Sequence, residues 1–174
     1  MKKCQFLLLG ILLFVPLRLM PQSVKQELKT PAPEALVAAR KACTDVFSNL
    51  AAGKSEDIAA WITNEIGYTR DAASKISLKN DFKSKLDLVL ASPPVTPYGK
   101  LSGYDLIEET YLPHSNRYFR LTYISYHEGA PLIWEFRFYV KPDGKVALSY
   151  IVWSEKNPFE YISSPEYDLT ASKK

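Results

Sequence analysis

Arg120, Arg137, Glu109 and Glu135 stand in β-rich stretches where alternation with period two brings all four onto one face of a sheet. Guanidinium forks beside carboxylates offer three chemistries: a ladder of surface ion pairs, an anion or carboxylate site gripped by two forks, or the polar centre of an interface between two sheets. Tyr111, Tyr118, Tyr139 and Trp153 flank the cluster and are the side chains such an interface would add. A second set, Tyr68, Tyr123, Ser125, His127, Trp134 and Tyr150, could orient a small ligand in a mostly apolar pocket, with His127 and a tyrosine available for acid–base work.

The patterns of the commoner enzyme classes are missing. The histidines are His114 and His127, and Cys43 is the one cysteine after the apolar leader, so no metal-ligand spacing or internal disulfide arises. Neither a Gly-x-Ser-x-Gly elbow nor a dinucleotide glycine fingerprint occurs. Gly53-Lys54-Ser55 resembles the end of a phosphate loop, but Ser48 stands where its first glycine belongs and a helical pattern precedes it. We expect no cofactor and no metal. Cys43 lies on an apolar helical stripe and reads as a buried small hydrophobe.

The formal charge of +3 is concentrated at the start: Lys2, Lys3 and Arg18 precede residue 24, which leaves 19 basic against 19 acidic side chains beyond. A nearly neutral body has no clustered basic surface for a phosphate backbone, which argues against nucleic acid as a partner. Met1-Lys2-Lys3 followed by the apolar run Phe6 to Leu17 has the plan of a secretory signal peptide over residues 1–23, with cleavage near Ser23. Export, to a periplasm or beyond, is the expected localisation. The run is short for a bilayer span, which needs roughly 20 apolar residues, so membrane attachment is expected only if the leader stays uncleaved.

Residues 24–33 are polar with Pro31 and Pro33 and read as a linker. Leu36, Ala39, Cys43, Val46, Phe47 and Leu50 recur at three and four and predict a helix over Glu34 to Ala52, with Gly53 in the left-handed position after it. Ser55 is placed to cap a second helix to Asn64, and a third runs from Asp71 or Ser74 to Ala91 on a stripe of Ile76, Leu78, Phe82, Leu86, Val89 and Leu90. Ser92-Pro93-Pro94-Val95-Thr96-Pro97 stops helix formation. Alternating runs follow, so the order predicts one α+β domain over residues 34–155, three helices packed on a curved antiparallel sheet of about four long strands. Residues 156–174 form a tail carrying Pro158, Phe159, Tyr161, Pro165 and Tyr167.

Turn chemistry predicts the register. Lys141-Pro142-Asp143-Gly144-Lys145 fits a type I turn with Gly144 left-handed. It pairs Val140 with Val146, Phe138 with Leu148, Phe136 with Tyr150 and Trp134 with Val152. A two-residue turn at Glu128-Gly129 pairs Tyr123 with Trp134, Leu121 with Phe136 and Phe119 with Phe138. A strand from Leu106 to Leu112 and a four-residue connection place Glu109 opposite Arg120 and Leu112 opposite Arg117. One face is then hydrocarbon and aromatic, and the other carries Ile107, Glu109, Tyr111, Tyr118, Arg120, Glu135, Arg137, Tyr139, Ile151 and Trp153. Arg120 faces Arg137, with Glu109 and Glu135 as neutralisers.

Leu50-Ala51-Ala52-Gly53 closing the first helix, Trp61 in the second, and Trp134-Glu135-Phe136-Arg137-Phe138-Tyr139 leading through Pro142-Asp143-Gly144 to Tyr150-Ile151-Val152-Trp153 resemble the nuclear transport factor 2-like superfamily over residues 34–155. That superfamily has a cone-shaped α+β fold also found in ketosteroid isomerase and polyketide cyclase relatives. The resemblance implies either an exported, non-catalytic domain that binds a small apolar molecule or a protein partner, with homodimerisation through the outer sheet face, or an acid–base isomerase or cyclase working inside the cone. No family acid–base pair aligns residue by residue.

Overall fold

A computed structural model describes residues 29–156. The expected leader, the first part of the linker and the tail from residue 157 lie outside the described residues. Three helices, α1 (Pro33–Ala51), α2 (Ser55–Ile66) and α3 (Ala72–Leu90), precede four strands, β1 (Leu101–Tyr111), β2 (Tyr118–His127), β3 (Leu132–Val140) and β4 (Val146–Ser154). The strands form one antiparallel meander in the order β1-β2-β3-β4. The α+β class and the helices-first order are as expected. No helix among the described residues is long and apolar enough to cross a membrane.

Helix α1 starts at Pro33, whose missing amide is free of cost where no intrahelical partner exists. Its buried residues Ala39, Cys43, Val46, Phe47 and Leu50 follow the predicted stripe, with Ala35 buried where Leu36 was expected, and Gly53 takes φ +69° just beyond its end. Ser55 does not cap α2. It is the first helical residue, and its hydroxyl donates to Asp87 of α3. Asp71 caps α3, accepting from the Ser74 amide at 2.8 Å. Only Leu86 and Val89 of that helix are buried, and Ile76 of the expected stripe is exposed. The reason is position: α3 packs mainly on α2, whereas α1 lies on the sheet.

The two turns behave differently from one another. Gly144, at φ +82°, and the bond from the Lys141 amide to the Lys145 carbonyl at 2.8 Å form the predicted β3–β4 turn. Between β2 and β3 every predicted pair is present, including Tyr123 with Trp134 and Arg120 with Arg137. That loop is pinned from outside, because the amides of Glu128 and Gly129 donate to the carbonyls of Lys100 and Tyr98 at 3.1 and 2.8 Å. A Cβ on Gly129 would stand 1.9 Å from the Pro97 carbonyl oxygen, so only glycine permits this approach.

Two bulges overturn the predicted register elsewhere. In β4 the pairing slips at Ser149, so Phe136 faces Ile151 rather than Tyr150, and Trp134 faces Trp153 rather than Val152. The extra residue is held by side chains: the Leu148 amide donates to Glu65 of α2 at 3.1 Å, and the Ser149 hydroxyl donates to the Arg137 carbonyl at 3.0 Å. Beyond the bulge the faces exchange. Ile151 and Trp153 turn to the helices, and Tyr150 turns outward. In β1, which begins at Leu101 instead of Leu106, a bulge at Ile107 and a longer connection to β2 set Thr110 opposite Arg120 and Glu109 opposite Leu121.

The core lies between the helices and the inner sheet face. Phe47 is its centre, stacked on Tyr104 with centroids 4.3 Å apart and meeting Tyr123, Trp134 and Phe136 at 5.3, 5.6 and 6.0 Å. Trp134 also stacks on Trp153 at 4.8 Å. Trp134, Phe47, Phe119, Phe136 and Phe138 are all fully buried.

Candidate functional site

Of the pocket set read from the sequence, four residues come together and two do not. Tyr123, Ser125, His127 and Trp134 share the inner face near the β2–β3 turn. The Trp134 Nε1–H donates to Ser125 Oγ at 2.8 Å, Ser125 Oγ lies 3.0 Å from His127 Nε2, and His127 Nδ1 lies 3.0 Å from the Gly99 carbonyl. A carbonyl only accepts, so Nδ1 carries the proton and Nε2 accepts from the serine hydroxyl. Burial holds the His127 pKa below its ordinary value, with the Gly99 carbonyl opposing it in part.

This chain of polar groups is closed. Ser125 is fully buried, His127 is 8% exposed, and neither borders the surface clefts of about 270 Å³ and 410 Å³. Cys43 and Tyr123 touch through their thiol and hydroxyl, and burial pushes both pKa values up. Tyr68 is 75% exposed in the turn after α2 and takes no part in these hydrogen bonds. Tyr150 is on the other face of the sheet, its ring under the Arg137 guanidinium at 4.5 Å.

The outer face is where the remaining candidates gather. Arg120 Nη2 donates to Glu108 Oε2 at 2.8 Å and to Thr110 Oγ1 at 3.1 Å, and its Nη1 lies 3.9 Å from Glu135 Oε2. Arg137 Nε donates to the other oxygen of Glu135 at 2.5 Å. Glu135 therefore lies between both guanidinium groups, as its place on the face required. Glu108, not Glu109, is the second neutraliser. The β1 bulge turns Glu109 inward, where it pairs with Arg40 of α1 and accepts from the Tyr111 hydroxyl at 2.7 Å.

Both glutamates are buried, and Thr122 between them is fully covered. Two atoms of this network, Arg120 Nε and Glu108 Oε1, are buried without a hydrogen-bond partner among the described residues. Arg117, outside the original candidate set, donates from Nε to the Val140 carbonyl at 2.8 Å and from Nη2 to the Tyr139 hydroxyl at 2.7 Å, with its guanidinium 5.0 Å from the Tyr139 ring. Only its position beside a turn hinted at a role.

A cleft of about 270 Å³ opens at this end of the sheet. Four of the six interface candidates, Tyr111, Tyr118, Arg120 and Arg137, line it, together with Thr110, Leu112 and Phe119. Tyr139 lies beside it through its pairing with Tyr118, but Tyr111, expected on the outer face, is buried on the inner one opposite Phe119 and bonded to Glu109, and Trp153 is turned into the core by the β4 bulge. A larger hollow of about 410 Å³ between α3, the proline segment and β4 is walled mostly by hydrocarbon, with Lys85 as its charged group. No cluster of three or more metal-ligating side chains occurs among the described residues. Compared with protein-family models, with curated proteins and with solved structures, the chain matches none.

Proposed function

We propose that this chain is an exported, non-catalytic binding domain of the nuclear transport factor 2-like kind, and that its recognition surface is the outer face of the sheet. The observation that carries this reading is the contrast between a filled interior and an exposed Tyr/Arg patch. Phe47, Trp134 and Phe136 pack against one another in the interior, and the Ser125–His127 pair is buried there. The acid–base reading thus lacks an accessible acid or base in the interior.

Outside, Tyr118, Tyr139 and Tyr150 stand with Arg117 and Arg137, the residue types most often found carrying interface energy. The partner we assign is a second copy of the chain. Tyrosine rings and guanidinium groups on one surface are self-complementary, as a two-fold contact demands. Four strands spaced ~4.8 Å apart and 9 to 11 residues long offer roughly 600 Å² per copy, near the lower bound for a specific interface. Light scattering of the purified chain should give twice the mass of one chain, falling to one on Arg137→Ala combined with Tyr139→Ala. A wild-type protein that stays monomeric at high concentration would remove the second copy as partner.

A further inference from the structure

We infer that the cleft at the Tyr118 end of the outer face is a binding site for a small monocarboxylate carried on an aromatic or branched hydrocarbon body. The polar groups on its walls are predominantly donors. Arg137 is held in place by its Nε bond to Glu135 and by the Tyr150 ring, which leaves its two terminal nitrogens without a hydrogen-bond partner among the described residues. The Ser149 hydroxyl gives its proton to the Arg137 carbonyl, so the Tyr118 hydroxyl, 3.1 Å from Ser149 Oγ, donates there and is not a free donor. Thr110 Oγ1 accepts from Arg120 and keeps its own proton. A carboxylate accepts from such a set, and a planar fork suits it best.

Charge sets the valence of the ligand. Arg120 and Arg137 line the cleft and Glu108 and Glu135 balance them, so a ligand's negative charge is compensated only by the fork that grips it, which favours a monoanion over a dianion. Leu112 supplies the exposed part of the apolar wall, with Tyr111 and Phe119 buried behind it. The volume, about 270 Å³, is close to the smaller end of the ~300–1,000 Å³ range of small-molecule sites and suits one ring or one branched chain.

The site does not depend on the second copy. Calorimetric titration of the full chain with N-acetylphenylalanine and with its uncharged amide tests it directly. The acid should bind saturably, the amide about tenfold more weakly, and Arg137→Gln should remove a similar factor while circular dichroism stays native. Inorganic phosphate should fail to compete. Equal binding of acid and amide, undiminished binding by a folded Arg137→Gln, or no saturable binding up to roughly 10 mM would overturn the assignment. Light scattering on the same samples keeps the two readings apart: a monomer that binds the acid retains the cleft and loses the dimer.

Discussion

The two faces of this sheet treat polar groups in opposite ways. On the inner face Trp134, Ser125, His127 and the Gly99 carbonyl satisfy one another in a line, and the rings around them are fully packed. On the outer face Arg120 and Arg137 sit side by side around Glu135, two polar atoms have no partner among the described residues, and the tyrosine rings are partly open to water. A completed network has no capacity left for a ligand. An incomplete one, with a cleft beside it, has some, and this difference is the ground for the proposal that recognition lies outside.

The contrast breaks most visibly at its aromatic centre. Trp134→Ala should cost about 3–5 kcal/mol in urea unfolding, since it empties a fully buried site and leaves Ser125 without its donor. A loss under ~1 kcal/mol would mean the interior is not packed as described. Gly129→Ala should follow, at ~1–3 kcal/mol, because the new methyl meets backbone at Pro97 and not a side chain that can move aside.

Glu135→Gln sharpens the outer face. Without the carboxylate the two arginines are adjacent like charges with only Glu108 near, and a loss of about 1–3 kcal/mol is expected from thermal unfolding at low salt, smaller at high salt. His127 gives a pH signature to the inner face. Because its folded pKa is depressed, the unfolded chain binds a proton that the folded chain refuses. Its contribution is therefore complete above pH ~6.5 and declines as the pH falls from there towards the lower folded value. His127→Asn should flatten the dependence of Tm on pH across that window; an unchanged slope would show that other groups set it. Smallest in stability is Arg137→Ala, under ~1 kcal/mol because Arg137 is itself 42% exposed and Arg120 stays beside Glu135, though the cleft reading requires it to weaken carboxylate binding about tenfold.

Much of this architecture is written locally. The α1 stripe, the Gly53 and Gly144 positions and the proline stop depend on neighbours within a few residues, and the β2–β3 register follows from the alternation of apolar residues on both strands. The candidate site was legible in part for the same reason: the Arg120–Arg137 pair and Glu135 come from that one register. Glu108 and the exchange of Tyr150 with Trp153 were not legible, because each depends on a bulge.

Those bulges are tertiary decisions. The one at Ser149 is braced by Glu65, 83 residues away from the amide it accepts, and Glu109 is drawn inward to Arg40, 69 residues away. A sheet has a side-chain period of two, so one inserted residue moves everything beyond it to the opposite face. By itself the sequence determined the order of helices and strands and which hydrocarbon must be covered. Which tryptophan and which tyrosine face water was decided only when α1 and α2 brought their own polar side chains onto the sheet, since backbone and carboxylate groups taken out of water must find partners wherever the fold supplies them.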